Sequence, residues 1–128
     1  MSRLACFTYD QIRDVWPQVA GHIQRAIDRG SNYSLTDIYK GLRRKRMQLW
    51  VSQAETIEAA LVTSIQDGYC LLLCAGGSNV DEWAQWLPAI EEWARQCGVT
   101  EMRIYGRIGW LRKLNGFRAE YTKMVKEL

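Results

Sequence analysis

The sequence has little of what many enzymes use: one histidine, His22, and no Cys-x-x-Cys pair among four cysteines. A lone histidine with no neighbouring nucleophile motif does not support a Ser-His-Asp or Cys-His-Asn triad. Cys70 and Cys74 lie four residues apart in an apolar segment, which predicts that both occupy one face of a strand. Because further zinc ligands are missing, the pattern favours buried free thiols over a metal site or a disulfide, and no bound metal is predicted.

The chain also lacks an apolar run as long as a membrane span, a signal-peptide pattern at its start, internal repeats and linkers. These absences predict a cytosolic protein without membrane insertion. A net charge of +3 is too small to predict nucleic acid as a partner. With 48% apolar and 24% charged residues in 128, the sequence predicts a single domain, residues 1–128, with a substantial core.

The first half of the chain has the periodicity of alternating strands and helices. The predicted elements are strand 3–8, a helix from Asp10, a short helix from Ser34, and strands 47–52 and 55–65. Pro17 interrupts the first helical pattern, so either the helix starts near it or two short helices meet there. Ser34 to Asp37 has capping-box spacing, which marks the start of the second helix.

The second half begins with Asp67-Gly68, a hairpin signal, before a strand that is apolar on both faces. The predicted elements are strand 69–75 ending at a Gly76-Gly77 turn, an amphipathic helix to Gly98, strand 101–105 and a final strand 117–126. Pro88 either kinks the helix or marks its true start. The fold class is therefore α/β, a mixed and mostly antiparallel sheet with one parallel strand pair flanking a crossover helix.

Two surface features point to partners. The run Arg43-Arg44-Lys45-Arg46 could bind phosphate, although a solvated loop is the favoured interpretation. Three tryptophans, Trp83, Trp86 and Trp93, cover a wide arc of the amphipathic helix, which predicts that at least one reaches the surface. An exposed tryptophan there would anchor a protein interface, whereas packing against the sheet is the favoured alternative.

The order of elements resembles the fold of the Gcn5-related N-acetyltransferases over nearly the whole chain. The resemblance rests on the Gly76-Gly77 turn before the long helix and on Gly116-Phe117 at the start of the last strand. The sequence is also similar to small phage-encoded proteins of that family. The segments that carry this closer similarity are 34–42, 48–51 and 104–110.

The resemblance implies that acetyl-CoA binds in a split between the strands 69–75 and 101–105. The cofactor-binding residues that it implies are Cys74, Ala75, Gly76, Gly77, Ser78 and Asn79. Their backbone would hold the pantetheine and the pyrophosphate, and a backbone amide would polarise the acyl carbonyl. Tyr105 is the candidate general acid, and the alternative interpretation is a tyrosine at the edge of the core. Glu58 is the candidate general base, and the alternative interpretation is an exposed carboxylate on a strand.

The sequence departs from the family pattern at the candidate site. No basic residue opens the phosphate loop, Asp81 and Glu82 add negative charge at the helix start, and Arg112 stands where the family has a tyrosine. We therefore predict either a phage-type acetyl-CoA-dependent N-acetyltransferase with a degraded site, or a non-catalytic virion component or binder of a host protein. Both predict a protein partner and a location in the bacterial host cytoplasm or in a phage particle, and an oligomer is compatible with either.

Overall fold

The structure, a computed structural model, describes residues 2–28, 33–77, 80–104, 114, 116–118 and 126–127. The elements are β1 (Arg3–Phe7), α1 (Ile12–Asp28), α2 (Leu35–Arg43), β2 (Gln48–Gln53), β3 (Ile57–Ile65), β4 (Tyr69–Gly77), α3 (Val80–Ala84), α4 (Leu87–Gln96) and β5 (Glu101–Ile104). The strands form one sheet in the order β1-β2-β3-β4-β5, antiparallel as far as β4 and parallel between β4 and β5. The predicted fold class is confirmed.

Helix α1 runs without a break through Pro17, so neither alternative that the sequence left open for this proline is correct. Pro17 lies in the second turn, where it removes the hydrogen bond that Arg13 would otherwise accept. The proline is exposed, and water can satisfy that carbonyl. Burial of the apolar stripe outweighs the lost bond, since Ile12, Val19 and Ile23 are at most 1% exposed.

The start of α2 is fixed by the predicted capping box. Asp37 N–H donates to Ser34 Oγ at 3.1 Å, and Ser34 N–H donates to Asp37 Oδ2 at 3.2 Å. These bonds satisfy two backbone donors that the helix itself leaves without partners. The hairpin at Asp67-Gly68 is also confirmed, because Gln66 N–H donates to Tyr69 O at 2.8 Å and Gly68 has a φ of +86°.

A bulge in β4 changes the predicted faces of its cysteines. Leu72 pairs with Thr63 and Cys74 pairs with Val62, so Leu73 has no partner on β3. The extra residue reverses the alternation of faces along the strand. Cys70 therefore packs beside α4, whereas Cys74 packs beside α1, and the prediction that the two share one face is wrong.

The long helix predicted after β4 is two helices. Helix α3 has only five residues, and α4 begins at Leu87 with Pro88 in its first turn. Pro88 thus marks the true start of α4, where its missing N–H costs nothing. Of the predicted stripe, Trp83, Leu87 and Ile90 are buried, but Cys97 at the end of α4 is exposed.

The sheet separates two apolar layers. Helices α1 and α2 cover one face, where the buried cluster comprises Ile12, Val15, Val19, Ile23, Ile38, Leu42, Leu49, Val51, Ala60, Val62 and Cys74. Helices α3 and α4 cover the other, with a cluster of Trp50, Ala59, Leu61, Leu72, Ala75, Trp83, Leu87, Ile90 and Leu114. Strand β4 contributes to both layers, which confirms the prediction of a strand covered on both faces.

Candidate functional site

The predicted glycine turn lies inside β4, which is a correction to the sequence interpretation. Gly76 pairs with Ala60 and Gly77 with Ala59, as regular members of the strand. A Cβ on Gly76 would lie 2.1 Å from the carbonyl oxygen of His22. Gly76 is therefore required for the close approach of α1 to the sheet, which is a packing requirement.

Gly77 is enclosed on the opposite face. A Cβ there would lie 3.0 Å from Glu82 Oε2, 3.1 Å from Ala59 Cβ and 3.2 Å from the carbonyl oxygen of Glu58. The carboxylate of α3 thus folds back against the last residue of β4. This contact places negative charge at the end of the strand, where the resemblance implies that the pyrophosphate of the cofactor lies.

Between its bulge and its end, β4 has an edge for which the described residues provide no partner strand. The described pairing with β5 ends at Leu72 and Ile104, while β4 continues for five residues to Gly77. Within the described part of the chain, no strand pairs with Leu73 to Gly77 on that side. This part of β4 is roughly 16 Å long, and residues 105–113, which follow β5, lie outside the described residues.

Glu58 lies at the same end of the sheet as Gly77. It is the extra residue of a second bulge, because Ser52 pairs with Ala59 and Gln53 with Ile57. Its side chain is half-buried, and Ser2 Oγ donates to its Oε1 at 2.5 Å. Sequence reasoning missed Ser2, since no local signal connects residues separated by 56 positions.

The structure describes only part of the predicted site. Cys74, Ala75, Gly76 and Gly77 are brought together on β4, and Glu58 lies beside them. The predictions for Ser78, Asn79 and Tyr105, together with Arg112 and most of the predicted last strand, lie outside the described residues. So does the split between the parallel strands, because β5 is described only to Ile104.

Burial determines the protonation state of two thiols away from the site, Cys6 on β1 and Cys70 at the start of β4. It raises the pKa of the Cys70 thiol to about 11, with a smaller contribution from Cys97, and it raises the pKa of the exposed Cys6 thiol as well. Both groups stay protonated at neutral pH and are poor nucleophiles. Nothing in their surroundings supports a role in covalent catalysis.

The tryptophans of α3 and α4 face the sheet, as the favoured interpretation predicts. Trp83 is 2% exposed, and Trp86 donates from Nε1 to Ser52 Oγ at 2.8 Å. The ring of Trp93 lies against Trp50, with 5.0 Å between ring centroids. Each ring packs onto β2 or into the core, which favours the packing interpretation, while Trp86 and Trp93 are only half-buried and a role as an interface anchor stays a prediction.

No three His, Cys, Asp or Glu side chains among the described residues come together as a group that could hold a metal ion. None of the helices described is both long enough and apolar enough to cross a membrane.

No protein-family model matches the chain, and no curated protein matches it in sequence. Solved structures do. An aminoglycoside acetyltransferase from an uncultured soil metagenomic sample, in complex with sisomicin, is similar with a TM-score of 0.72 and 10% identity, over 99% of this chain and 96% of that one. A predicted acetyltransferase with acetyl-CoA from Clostridium acetobutylicum is similar with a TM-score of 0.69 and 12% identity, over 99% of this chain and 96% of that one. AAC(6')-Iy in complex with a bisubstrate analogue is similar with a TM-score of 0.70 and 9% identity, over 100% of this chain and 99% of that one.

Proposed function

We propose that this chain, whose fold is that of the Gcn5-related N-acetyltransferases, binds acetyl-CoA along β4 and transfers the acetyl group to an amine. One observation carries the proposal: β4 has a bulge followed by five residues whose edge pairs with no described strand. An extended pantetheine arm, with its two amide groups, is a natural partner for such an edge. Two of the similar structures hold acetyl-CoA or a CoA-containing analogue, which supports acetyl-CoA as the ligand.

The chemistry proposed for this edge needs few side chains. The amide of Leu73, freed from pairing with β3 by the bulge, is suited to polarise the acyl carbonyl and to stabilise the oxyanion that forms on it. Cys74 to Gly77 would then hold the rest of the cofactor through their backbone. Bringing amine and thioester together supplies much of the remaining rate enhancement, because it replaces a bimolecular encounter.

The attacking amine must lose a proton, and Glu58 is the described carboxylate predicted to accept it. Its bonded neighbour Ser2 would hold the carboxylate in place. Glu58 lies beside Gly77, however, roughly 13 Å along the strand from Leu73. With the acyl group at Leu73, Glu58 would lie nearer to the phosphate end of the cofactor than to the thioester. The predicted roles of Glu58 and Tyr105 are therefore separate questions from cofactor binding.

A second function is favoured by Glu82. Its carboxylate occupies the end of β4 at Gly77, and it would repel a pyrophosphate there. If that repulsion prevents binding, the fold serves as a non-catalytic packing unit that binds a protein, as the similarity to phage proteins predicts. The phage origin, the virion role and the degraded site remain predictions from the sequence.

Thermal melting with acetyl-CoA separates the two functions. With a dissociation constant near 10 µM, 1 mM acetyl-CoA would stabilise the fold by about 2.7 kcal/mol and raise the melting temperature by roughly 10 °C. Glu82→Gln should strengthen binding about fivefold, because it removes like charge near the pyrophosphate, whereas Glu91→Gln on α4 should leave binding unchanged. An unchanged melting temperature for both the natural chain and Glu82→Gln would reject the acetyl-CoA proposal.

Transfer itself is best detected as the acetylated amine by mass spectrometry. Cys97 is an exposed free thiol and would add background to any assay of released CoA thiol. Sisomicin, a polyamine and a peptide with a free N-terminus form a suitable first panel of acceptors. Glu58→Gln then assigns its role: a lower kcat at unchanged KM indicates the base, and a raised KM for acetyl-CoA indicates a position at the phosphate end.

A further inference from the structure

The turn between α2 and β2 holds a lysine where the backbone favours glycine. Lys45 has a φ of +62°. Arg46 N–H donates to Gly41 O at 2.9 Å and Lys45 N–H to Leu42 O at 3.4 Å, which is the Schellman arrangement at the end of a helix. Glycine is the usual residue at this position because it lacks a Cβ. A lysine held in this conformation is an outlier that suggests a role for its side chain.

The side chain of Lys45 reaches an aromatic ring from another part of the chain. Its Nζ lies 4.2 Å from the centroid of the Tyr9 ring, and Arg43 Nη1 donates to the carbonyl oxygen of Tyr9 at 3.4 Å. Tyr9 is 46% exposed, and Arg43, Arg44, Lys45 and Arg46 are all exposed. We call these five residues the basic platform.

The basic platform is anchored on the sheet. Ser64 Oγ, on β3, donates to the carbonyl oxygen of Arg46 at 2.9 Å, and Gln66 Nε2 donates to Ser64 Oγ at 2.7 Å. The backbone that carries the cations is thus tied to β3 as well as to α2. Such a fixed surface loses little conformational entropy when a ligand binds.

Among the described residues, no carboxylate forms an ion pair with a cation of the basic platform. The described ion pairs join Glu92 to Arg95 and Glu101 to Arg103. One carboxylate does flank the platform: Asp10, whose pKa is lowered first by the Thr8 hydroxyl and to a smaller extent by Arg43. The platform is therefore a narrow cationic strip beside an ionised carboxylate.

We propose that the basic platform binds single-stranded nucleic acid, with its cations on the phosphates and the exposed ring of Tyr9 stacked on a base. Cations that follow a backbone, together with an aromatic ring for a base, are the combination that binds single strands without sequence preference. An acidic protein segment would use the cations but would leave the exposed ring unexplained. A flat anionic membrane would bring Asp10 against its headgroups.

This site is independent of acetyl-CoA binding. Gln48, the first residue of β2, pairs with Thr63, whereas Gly77 pairs with Ala59 at the other end of β3. The basic platform precedes Gln48, so it lies more than about 13 Å along the sheet from Gly77, and β2, which follows it, is two strand spacings, about 10 Å, from β4. Failure of one proposal leaves the other standing.

The test uses the full chain and a fluorescein-labelled oligouridylate of about fifteen nucleotides, with binding followed by fluorescence anisotropy over a range of salt. Each phosphate contact contributes about 0.7 to the slope of log affinity against log salt. Arg44→Ala/Arg46→Ala should therefore lower that slope by about 1.4. The control Arg3→Ala/Arg25→Ala removes the same charge from exposed positions elsewhere and should change the slope much less.

The aromatic contribution has its own variants. Tyr9→Ala should weaken binding by about 5- to 150-fold through loss of stacking, whereas Tyr9→Phe should keep most of it. Lys45→Gly suits the backbone of the turn and should melt no lower than Lys45→Ala, while it removes one cation. Weaker oligouridylate binding by a stably folded Lys45→Gly variant would separate the role of the side chain from that of the turn.

Four results would overturn the proposal. One is the absence of saturable oligouridylate binding at low salt. Another is a salt slope that falls as much in the control variant Arg3→Ala/Arg25→Ala as in Arg44→Ala/Arg46→Ala. A third is displacement by polyglutamate at similar concentration with no effect of Tyr9→Ala, which would assign the platform to an acidic protein segment. The last is binding to phosphatidylglycerol vesicles in preference to the oligonucleotide, which would assign it to a membrane surface.

Discussion

At the scale of single residues, the two glycines at the end of β4 have a meaning that only their neighbours reveal. In the sequence they are a turn signal that is typical of a phosphate-binding loop. In the structure Gly76 contacts the backbone of α1 at His22, and Gly77 contacts Glu82. A residue without a side chain carries no local signal that separates close packing from a turn, because both need the missing Cβ.

Gly76→Ala should be strongly destabilising. Its new methyl group would lie 2.1 Å from a carbonyl oxygen, so α1 or β4 must shift, and we expect a loss of about 3 kcal/mol in the free energy of unfolding by urea. Gly21→Ala is the matched control, since a Cβ there has no atom within 4 Å and lies in a helix. That variant should gain about 0.5–1 kcal/mol. Similar stabilities for the two variants would contradict the packing role of Gly76.

At the scale of elements, local sequence predicted where a helix or strand begins and ends better than whether a helix continues without a break. The capping box at Ser34 and the hairpin at Gly68 each fix a boundary through bonds within a few residues, and both are confirmed. Pro17 and Pro88 show that local sequence does not decide whether a helix continues through a proline. The same residue type lies inside one helix and at the start of another, and burial of the apolar stripe of α1 decides the difference.

The cap of α2 makes its stability dependent on pH. The pKa of Asp37 is lowered mainly by the backbone N–H of Ser34, so its charged form is favoured in the folded state. The contribution is present above the unfolded pKa of about 3.9 and is lost as the pH falls through the lower folded value. Asp37→Ala should therefore destabilise the fold at pH 7 and progressively less below about pH 4.

Urea unfolding of Asp37→Ala and of the natural chain at pH 7 and at about pH 3 measures this difference. Glu55→Ala is a suitable control, because the described residues give that exposed carboxylate no hydrogen bond or ion pair. Its effect should be the same at the two pH values. An Asp37→Ala effect that stays constant down to pH 3 would show that the carboxylate does not stabilise the cap.

At the scale of the whole molecule, the sheet separates two surfaces that the sequence does not connect. The edge of β4 that pairs with no described strand ends at Gly77, and the basic platform around Tyr9 and Lys45 lies at the other end of β2 and β3. The mixed topology produces this separation, because the parallel crossover leaves the sheet at one end and the α2–β2 turn enters it at the other. The two proposed ligands would therefore lie at different places on the sheet.

We expect acetyl-CoA and oligouridylate to bind without competition. Saturating acetyl-CoA should change the dissociation constant of oligouridylate by less than about twofold, since the sites share no described residue and their charges are screened beyond about 10 Å at moderate salt. Anisotropy titrations with and without acetyl-CoA measure this. Mutual displacement would mean that both ligands use one phosphate site, and it would remove the basis for two separate functions.

The sequence by itself determined the order of the elements, the mixed sheet, the cap of α2 and the hairpin at Gly68. Each depends on periodicity or on bonds between residues close in the chain, and such signals are local. Only the tertiary structure decided the bulge at Leu73, the contact of Glu82 with Gly77, the bond from Ser2 to Glu58 and the meeting of Tyr9 with Lys45. These depend on segments that are far apart in sequence and meet only when the apolar faces of the sheet are buried.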